Sequence, residues 1–286
     1  MKNIKILVLH SHSGGYPTWD YLEKNWKLFG NIKITIHSKR SVSNELLQTE
    51  DPDIIILGDC AGTPYQFKQH EFQELDTYLK QHVGKHLLGT YATFFHWERV
   101  QRRDHIYDNR YLAQYFGIKP TLEFKTKRLS SKPTYCIEYQ HPLLWKNMNQ
   151  PFTSEGYTST QIPRHIGWDI NECFFDKNNV EVIAKSIDNK CIITHYKTPH
   201  FTSLYISTMP EYESIVGNKY DIQFLYNSFI FLMEQSLFSF SLLLLLSSLP
   251  RNKFIFRRQK FFSSQQILMV IFHSLCSLSL TELQNV

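Results

Sequence analysis

Residues 4–9 (IKILVL) form a near-continuous apolar run with no polar face, and such a strand is stable only when both of its faces are covered. The run DIIIL at 53–57, introduced by Pro52 and closed by Gly58, repeats the pattern, as does HLLGT at 86–90. Between the first two runs, Trp19, Leu22, Trp26 and Phe29 recur at helical spacing with Gly30 just beyond, and Ile32, Ile34 and Ile36 then alternate as a strand. Phe72, Leu75 and Leu79 mark a further helix. Strands and helices that alternate at this pace predict an α/β, three-layer fold with a mostly parallel sheet. The first strand runs into the turn His12-Ser13-Gly14-Gly15 and lacks GxGxxG, which points to a flavodoxin-like rather than a dinucleotide-binding arrangement.

Past residue 109 the pattern loosens. A helix is predicted over 109–116 and strands over 122–125 and 133–139. Residues 180–184 and 191–194 predict a hairpin turning at Asp188-Asn189, and 203–207 a further strand. A last helix carries Ile222, Leu225, Tyr226, Phe229, Leu232 and Met233 on one face and closes the domain near residue 235.

At that point the composition changes. Residues 236–286 contain no Gly, Ala, Tyr, Trp or Asp, and Ser, Leu and Phe supply 29 of the 51. Arg251, Lys253, Arg257, Arg258 and Lys260 against the single acid Glu282 give this tail four of the chain's five net positive charges. The body, 1–235, is nearly neutral and carries no dense basic face, so no nucleic-acid partner is expected. With 42% apolar and 15% aromatic residues, intrinsic disorder of the whole is excluded. Cys60, Cys136, Cys173, Cys191 and Cys276 show no CxxC spacing, and no signal segment opens the chain, which together predict a reducing, cytoplasmic setting. Three readings of the tail stay open. The apolar run 237–249 followed by basic residues has the form of a membrane anchor, although a span needs about 20 residues. The tail equally fits a disordered extension, or the translation of a pyrimidine-rich stretch that is not native coding sequence. In each case 236–286 is placed outside the fold, and a membrane partner is expected only of a genuine anchor.

The motif order resembles the class I glutamine amidotransferase-like superfamily, and within it the ThuA-like (trehalose utilisation) family. The likeness rests on IKILVLH, DIIILGDCAGTPY at 53–65, LLGTYATFFH at 87–96, YLAQYFGIKP at 111–120, QHPLLW at 140–145, SEGY at 154–157, YISTMPEY at 205–212 and DIQFLYN at 221–227. It covers most of 1–235 and none of the tail. The resemblance implies a nucleophile elbow, GxCxG, and a later His-Pro-Glu that complete a glutaminase triad. Here the elbow reads Gly89-Thr90-Tyr91-Ala92-Thr93 and the later motif Met209-Pro210-Glu211. Tyr91 and Met209 thus stand at the Cys and His positions, and glutamine hydrolysis by that triad is not expected.

In an open α/β sheet, ligands bind beyond the carboxyl ends of the strands. The residues predicted there are His10, His12, Asp59, Cys60, Tyr91, His96, Glu98 and Glu211. Tyr91, Cys60, Glu211 and His10 are the catalytic candidates, with Cys60 or Tyr91 activated by a neighbouring His. Each also has a plain structural reading: Cys60 as a small buried filler, Tyr91 as a packed phenol with a satisfied hydroxyl. His12, Gly14, Gly15, Asp59 and His96 are the substrate-binding candidates, with Gly14-Gly15 as an anion cradle or simply a tight turn. His10 and His12 alone do not make a metal site, and no metal or cofactor is assigned. His165, Asp169, His195 and His200, near Trp97, Tyr107 and Trp168, would suit a sugar-sized polar ligand or fill an aromatic-rich core.

The reading is a ThuA-like protein without the Cys–His pair that binds, and in an enzymatic version transforms, a small polar metabolite. The alternatives are a non-catalytic partner module and a membrane-tethered form. Fractionation before and after truncation at residue 235 separates the last: an anchored chain leaves the membrane fraction on truncation, whereas a full-length chain already in the soluble fraction excludes the anchor.

Overall fold

The computed structural model describes residues 3–9, 17–57, 67–90, 93, 109–119, 126–128, 135–137, 142–148, 166–168, 176–186, 191–207, 210–213 and 222–234, all within the unit Met1–Phe240. The described strands are β1 (Asn3–Leu9), β2 (Lys33–Lys39), β3 (Ile54–Leu57), β4 (Lys85–Gly89), β5 (Thr126–Arg128), β6 (Tyr135–Ile137), β7 (Ile166–Trp168), β8 (Val180–Ser186), β9 (Cys191–Lys197) and β10 (Phe201–Ile206). Eight of them form one sheet in the order β2-β1-β3-β4-β10-β9-β8-β6, and β5 pairs with β7. The first five run parallel, with Val8 beside Ile56 and Leu57 beside Gly89. The last three are added antiparallel. With β10 in the fifth place, the parallel half has the flavodoxin-like order 2-1-3-4-5. The chain therefore has the predicted α/β, flavodoxin-like three-layer fold, extended by an antiparallel half.

The helices are α1 (Pro17–Asn25), α2 (Asn44–Glu50), α3 (Gln69–Gln81), the four-residue α4 (Pro210–Glu213) and α5 (222–234). Alternation along β1 and β3 feeds two cores, since successive strand side chains point to opposite faces. Ile4, Ile6, Val8, Ile54 and Ile56 pack with Trp19 and Leu22 of α1 and Phe224, Leu225 and Phe229 of α5. Leu7, Leu9, Ile55 and Leu57 pack with Leu47 of α2, Leu75, Tyr78 and Leu79 of α3, and Phe116. All four residues of β3 are fully buried, each such side chain contributing about 1.5–3 kcal/mol of transfer free energy.

Several elements depart from the sequence expectation. Helix α2 was not anticipated because it buries only Leu47. Its ends hold it: Ser43 accepts the Leu46 N–H at 3.1 Å, and Asp51 adopts a left-handed conformation at φ 41°. The start of α3 braces the same corner, since Glu71 accepts from Lys68 N–H at 2.8 Å and Val42 N–H at 3.1 Å, and Glu74 from Asn44 N–H at 2.9 Å. The predicted helix over 109–116 winds as a 3-10 segment, Asn109–Phe116, and Gly117 leaves it at φ +71°. Strand β7 carried too short a pattern to be seen, and the expected strand over 122–125 lies outside the described residues. The expected hairpin is β8–β9, and β6 falls inside the strand expected over 133–139.

Two polar residues on α5 fix how it lies. Gln223 donates to the Phe29 carbonyl and to Asn227 Oδ1, and the Asn227 amide donates to the carbonyls of Leu144 and Lys146 at 3.0 and 2.8 Å. One turn away, the Tyr226 hydroxyl reaches the backbone of Ile32. Gly30 makes room for that ring, because a Cβ there would lie 2.4 Å from Tyr226 Cε1.

Glu50 closes α2 onto β2, with His37 Nδ1 at 2.5 Å and Lys39 Nζ at 3.1 Å. The His37 hydrogen bond, aided by Lys39 and opposed by burial, holds the Glu50 carboxyl below its ordinary value. A depressed carboxyl stabilises the fold above its unfolded pKa, and that contribution is lost as pH falls through the folded value. Glu50→Gln is expected to lower stability at neutral pH by about 0.5–1 kcal/mol and to flatten the acid limb of a denaturation profile below about pH 4.5.

Candidate functional site

The chain leaves β1 for α1 on one face of the sheet and leaves β3 for α3 on the other. In a doubly wound sheet the carboxyl ends of two neighbouring strands whose following helices lie on opposite faces are the usual ligand position. The segments that follow β1 and β3 in the sequence, 10–16 and 58–66, carry His10, His12, Gly14, Gly15, Asp59 and Cys60. These six lie outside the described residues, as do Tyr91, His96, Glu98 and Met209.

What is described beside the ends of β3 and β4 is a set of hydroxyls around one carboxyl group. Glu211, the second residue of α4, is fully buried. The Thr90 hydroxyl, at the residue after β4, donates to Glu211 Oε1. Thr18, in the first turn of α1, donates its hydroxyl to the Glu211 carbonyl at 2.5 Å. Thr93 completes the group: its hydroxyl donates to the Leu57 carbonyl at the end of β3 and accepts the Thr90 N–H at 3.0 Å. The Thr93 N–H returns to the Thr90 carbonyl at 2.9 Å, which closes the turn. All three threonines are buried. The ends of β3 and β4, the start of α1 and the start of α4 are therefore tied through Glu211 and its neighbours. A buried carboxyl group is costly without such donors.

Of the catalytic candidates, Glu211 alone is described, and it is bonded to Thr90, the residue after β4. Its contacts tie Thr90 and Thr18 to α4. Thr18 carried no signal in the sequence, and Thr90 and Thr93 registered only as the ends of the elbow motif. A threonine at a strand exit reads as a β-former until its hydroxyl partner is known. Two of the second-half histidines are described. His195 lies within β9, fully buried, its ring edge-on to Phe231 at 4.9 Å and its Nδ1 3.6 Å from Glu181. His200 lies in the turn before β10, where its carbonyl accepts from Gly84 at the opposite, amino end of β4. Neither belongs to a ligand loop at the carboxyl ends. His165, Asp169, Trp97 and Tyr107 lie outside the described residues. Among the described residues no three His, Cys, Asp or Glu side chains gather as a metal-binding group, and no helix is long and apolar enough to cross a membrane.

Sheet order and crossover pattern define a doubly wound, flavodoxin-like α/β protein. No protein-family model matches the chain, and no curated protein matches it. Among solved structures, a cytoplasmic protein from Salmonella typhimurium is similar at a TM-score of 0.50 and 12% identity, over 81% of this chain and 98% of its own. That likeness extends to the fold alone. A protein described as a GMP synthase component from Thermoplasma acidophilum aligns at a TM-score of 0.42 and 13% identity, over 83% of this chain and 98% of its own. A β-galactosidase from Bacillus circulans aligns at 0.43 and 13% identity, over 81% of this chain and 31% of its own. Neither of these two is close enough to carry an argument.

Removing the Thr90 hydroxyl tests the Glu211 contacts directly. Thr90→Val keeps the shape and deprives buried Glu211 of a donor, so it is expected to destabilise the fold by about 1–3 kcal/mol, read by denaturant unfolding. Thr90→Ser is expected to restore most of the loss.

Proposed function

We propose that this chain is a glutamine amidotransferase-like, ThuA-like protein of the cytoplasm that binds a small, polar, sugar-like metabolite at the carboxyl ends of its strands. Residues 1–235 form the functional domain in this reading, and 236–286 lie outside it. The observation that carries the proposal is the fully buried Glu211, held by Thr90 and Thr18 beneath the exits of β3 and β4. Thr90 immediately precedes Tyr91 in the sequence, and Tyr91 is assigned to this end of the sheet.

The chemistry proposed for the site uses the groups on the bordering segments. His10 serves as the base for Tyr91 or Cys60, and His12, Asp59 and His96 bind the polar substituents of the ligand, with Gly14-Gly15 beside them. Glu211 acts through Thr90 and is a positioning residue. Glutamine hydrolysis through a Cys–His pair is not part of the proposal, because Tyr91 and Met209 occupy those two positions.

Thermal-shift screening with sugars and sugar phosphates tests the reading. A ligand at 100 times its Kd stabilises the folded state by about 2.7 kcal/mol, and Tyr91→Phe and Cys60→Ala are expected to weaken that shift or abolish turnover. If no sugar or sugar phosphate shifts the transition and neither variant changes any activity, the reading fails.

A further inference from the structure

The antiparallel pairing of β9 with β10 continues one residue past the end of β10. The Ser207 N–H donates to the Ile192 carbonyl at 2.7 Å, in step with the pairing that sets Tyr205 opposite Thr194. Ser207 therefore keeps the two-residue alternation of the strand and shares a face with Ser203 and Tyr205. That face is the one covered by the 3-10 segment 109–116. Ser203 Oγ donates to the Tyr115 carbonyl at 2.6 Å, and the Tyr205 ring packs on Phe116 with centroids 5.4 Å apart. Thr194, directly opposite Tyr205, lies on the same face. Tyr205 also stands beside Gly89 in the parallel register, so Ser207 lies at the carboxyl ends of β4 and β10.

Buried hydroxyls elsewhere have partners. Thr18, Thr90, Thr93, Ser203 and Ser228 are all buried, and each donates to a backbone carbonyl or to the Glu211 carboxyl group. Ser207 Oγ and Thr194 Oγ1 are enclosed as fully and have no hydrogen-bond partner. Among the described residues they are the only Ser or Thr hydroxyls in that condition. An unpaired buried hydroxyl lowers stability by more than a typical hydrogen bond adds. Alanine at one place and valine at the other would fill the same space without that penalty. The two positions are diagonal neighbours on one sheet face, with Cα atoms about 7–8 Å apart. They weaken the folded state unless another molecule meets them.

We propose that Ser207 and Thr194 form a subsite for a hydroxyl of a neutral polyol, a contact of the sugar-like ligand proposed for this end of the sheet; the inference rests on that reading. A sugar hydroxyl suits the pair because it donates and accepts at once, as Ser and Thr hydroxyls do. It can take the proton of one and give its own to the other. The pair carries no charge, so it selects a neutral hydroxyl over a phosphate, which calls for cationic donors. No bond is made or broken there.

The experiment follows thermal unfolding of the full-length chain and of its Ser207→Ala and Thr194→Val variants, alone and in concentration series of D-glucose, D-galactose and D-mannose. Without sugar, both variants are expected to melt at or above the wild-type temperature, because an unpaired polar group gives way to an apolar one. With a hexose that shifts the wild type, each variant is expected to need about tenfold more sugar for the same shift, the loss of one hydrogen bond. A lower melting temperature in either variant without sugar overturns the proposal, since that hydroxyl would then serve the fold, directly or through a bridging water. Either variant responding to the hexose as the wild type does also overturns it, and leaves the sugar-binding reading standing. If none of the three hexoses shifts the wild type, the neutral-polyol subsite is overturned, and the response to hexose phosphates then decides the broader reading on its own.

Discussion

The structure depends on covering β3 from both sides. Ile54, Ile55, Ile56 and Leu57 have no exposed face, so a stable fold has to supply one layer for Ile54 and Ile56 and another for Ile55 and Leu57. Helices α1 and α5 supply the first, and α2 and α3 the second. Because β1 and β3 are neighbours whose following helices lie on opposite layers, their carboxyl ends diverge. The switch of layers between the two strands is therefore a consequence of burying four apolar residues.

The ends of β3 and β4 are tied by polar groups that answer one another. Glu211 is held on its side chain by Thr90 and on its backbone by Thr18, and Thr93 ties the same turn to the end of β3. These contacts join four chain segments far apart in sequence and replace the water that a carboxyl group loses on burial. Side chains likewise meet backbone groups beside β2: Glu23 accepts from Ile36, and Tyr226 bonds Ile32, groups that none of the described strands satisfies. At both places local polar satisfaction controls what the sheet leaves open.

Legibility in the sequence followed burial. Runs such as IKILVL and DIIIL announce their strands because their apolar character is continuous, and the hairpin at 180–197 announces itself through two β-forming runs around Asp188-Asn189. Helix α2 was silent because one buried leucine makes no periodic signal, and it stands on its caps and on Glu71 and Glu74 of the next helix. Residues 109–116 show helical apolar spacing, yet they wind as a 3-10 segment whose Phe116 ring packs against Gly89, where a Cβ would lie 2.5 Å from Phe116 Cζ. Among the candidate site residues, Glu211 was found through its motif, while Thr18 was missed because a buried hydroxyl is marked only by its partner.

The sequence by itself determined the layer count and the flavodoxin-like class, because these follow from hydrophobic period and element order. Tertiary structure alone decided that Glu211 is buried against Thr90, that His195 is enclosed against Phe231 and that His200 sits at the far end of β4. It also decided that Glu23 and Tyr226 bond backbone groups beside β2. The reason is physical: periodicity reports which face of an element avoids water, whereas a hydrogen bond across 121 residues, as between Thr90 and Glu211, leaves no trace in the spacing of either partner.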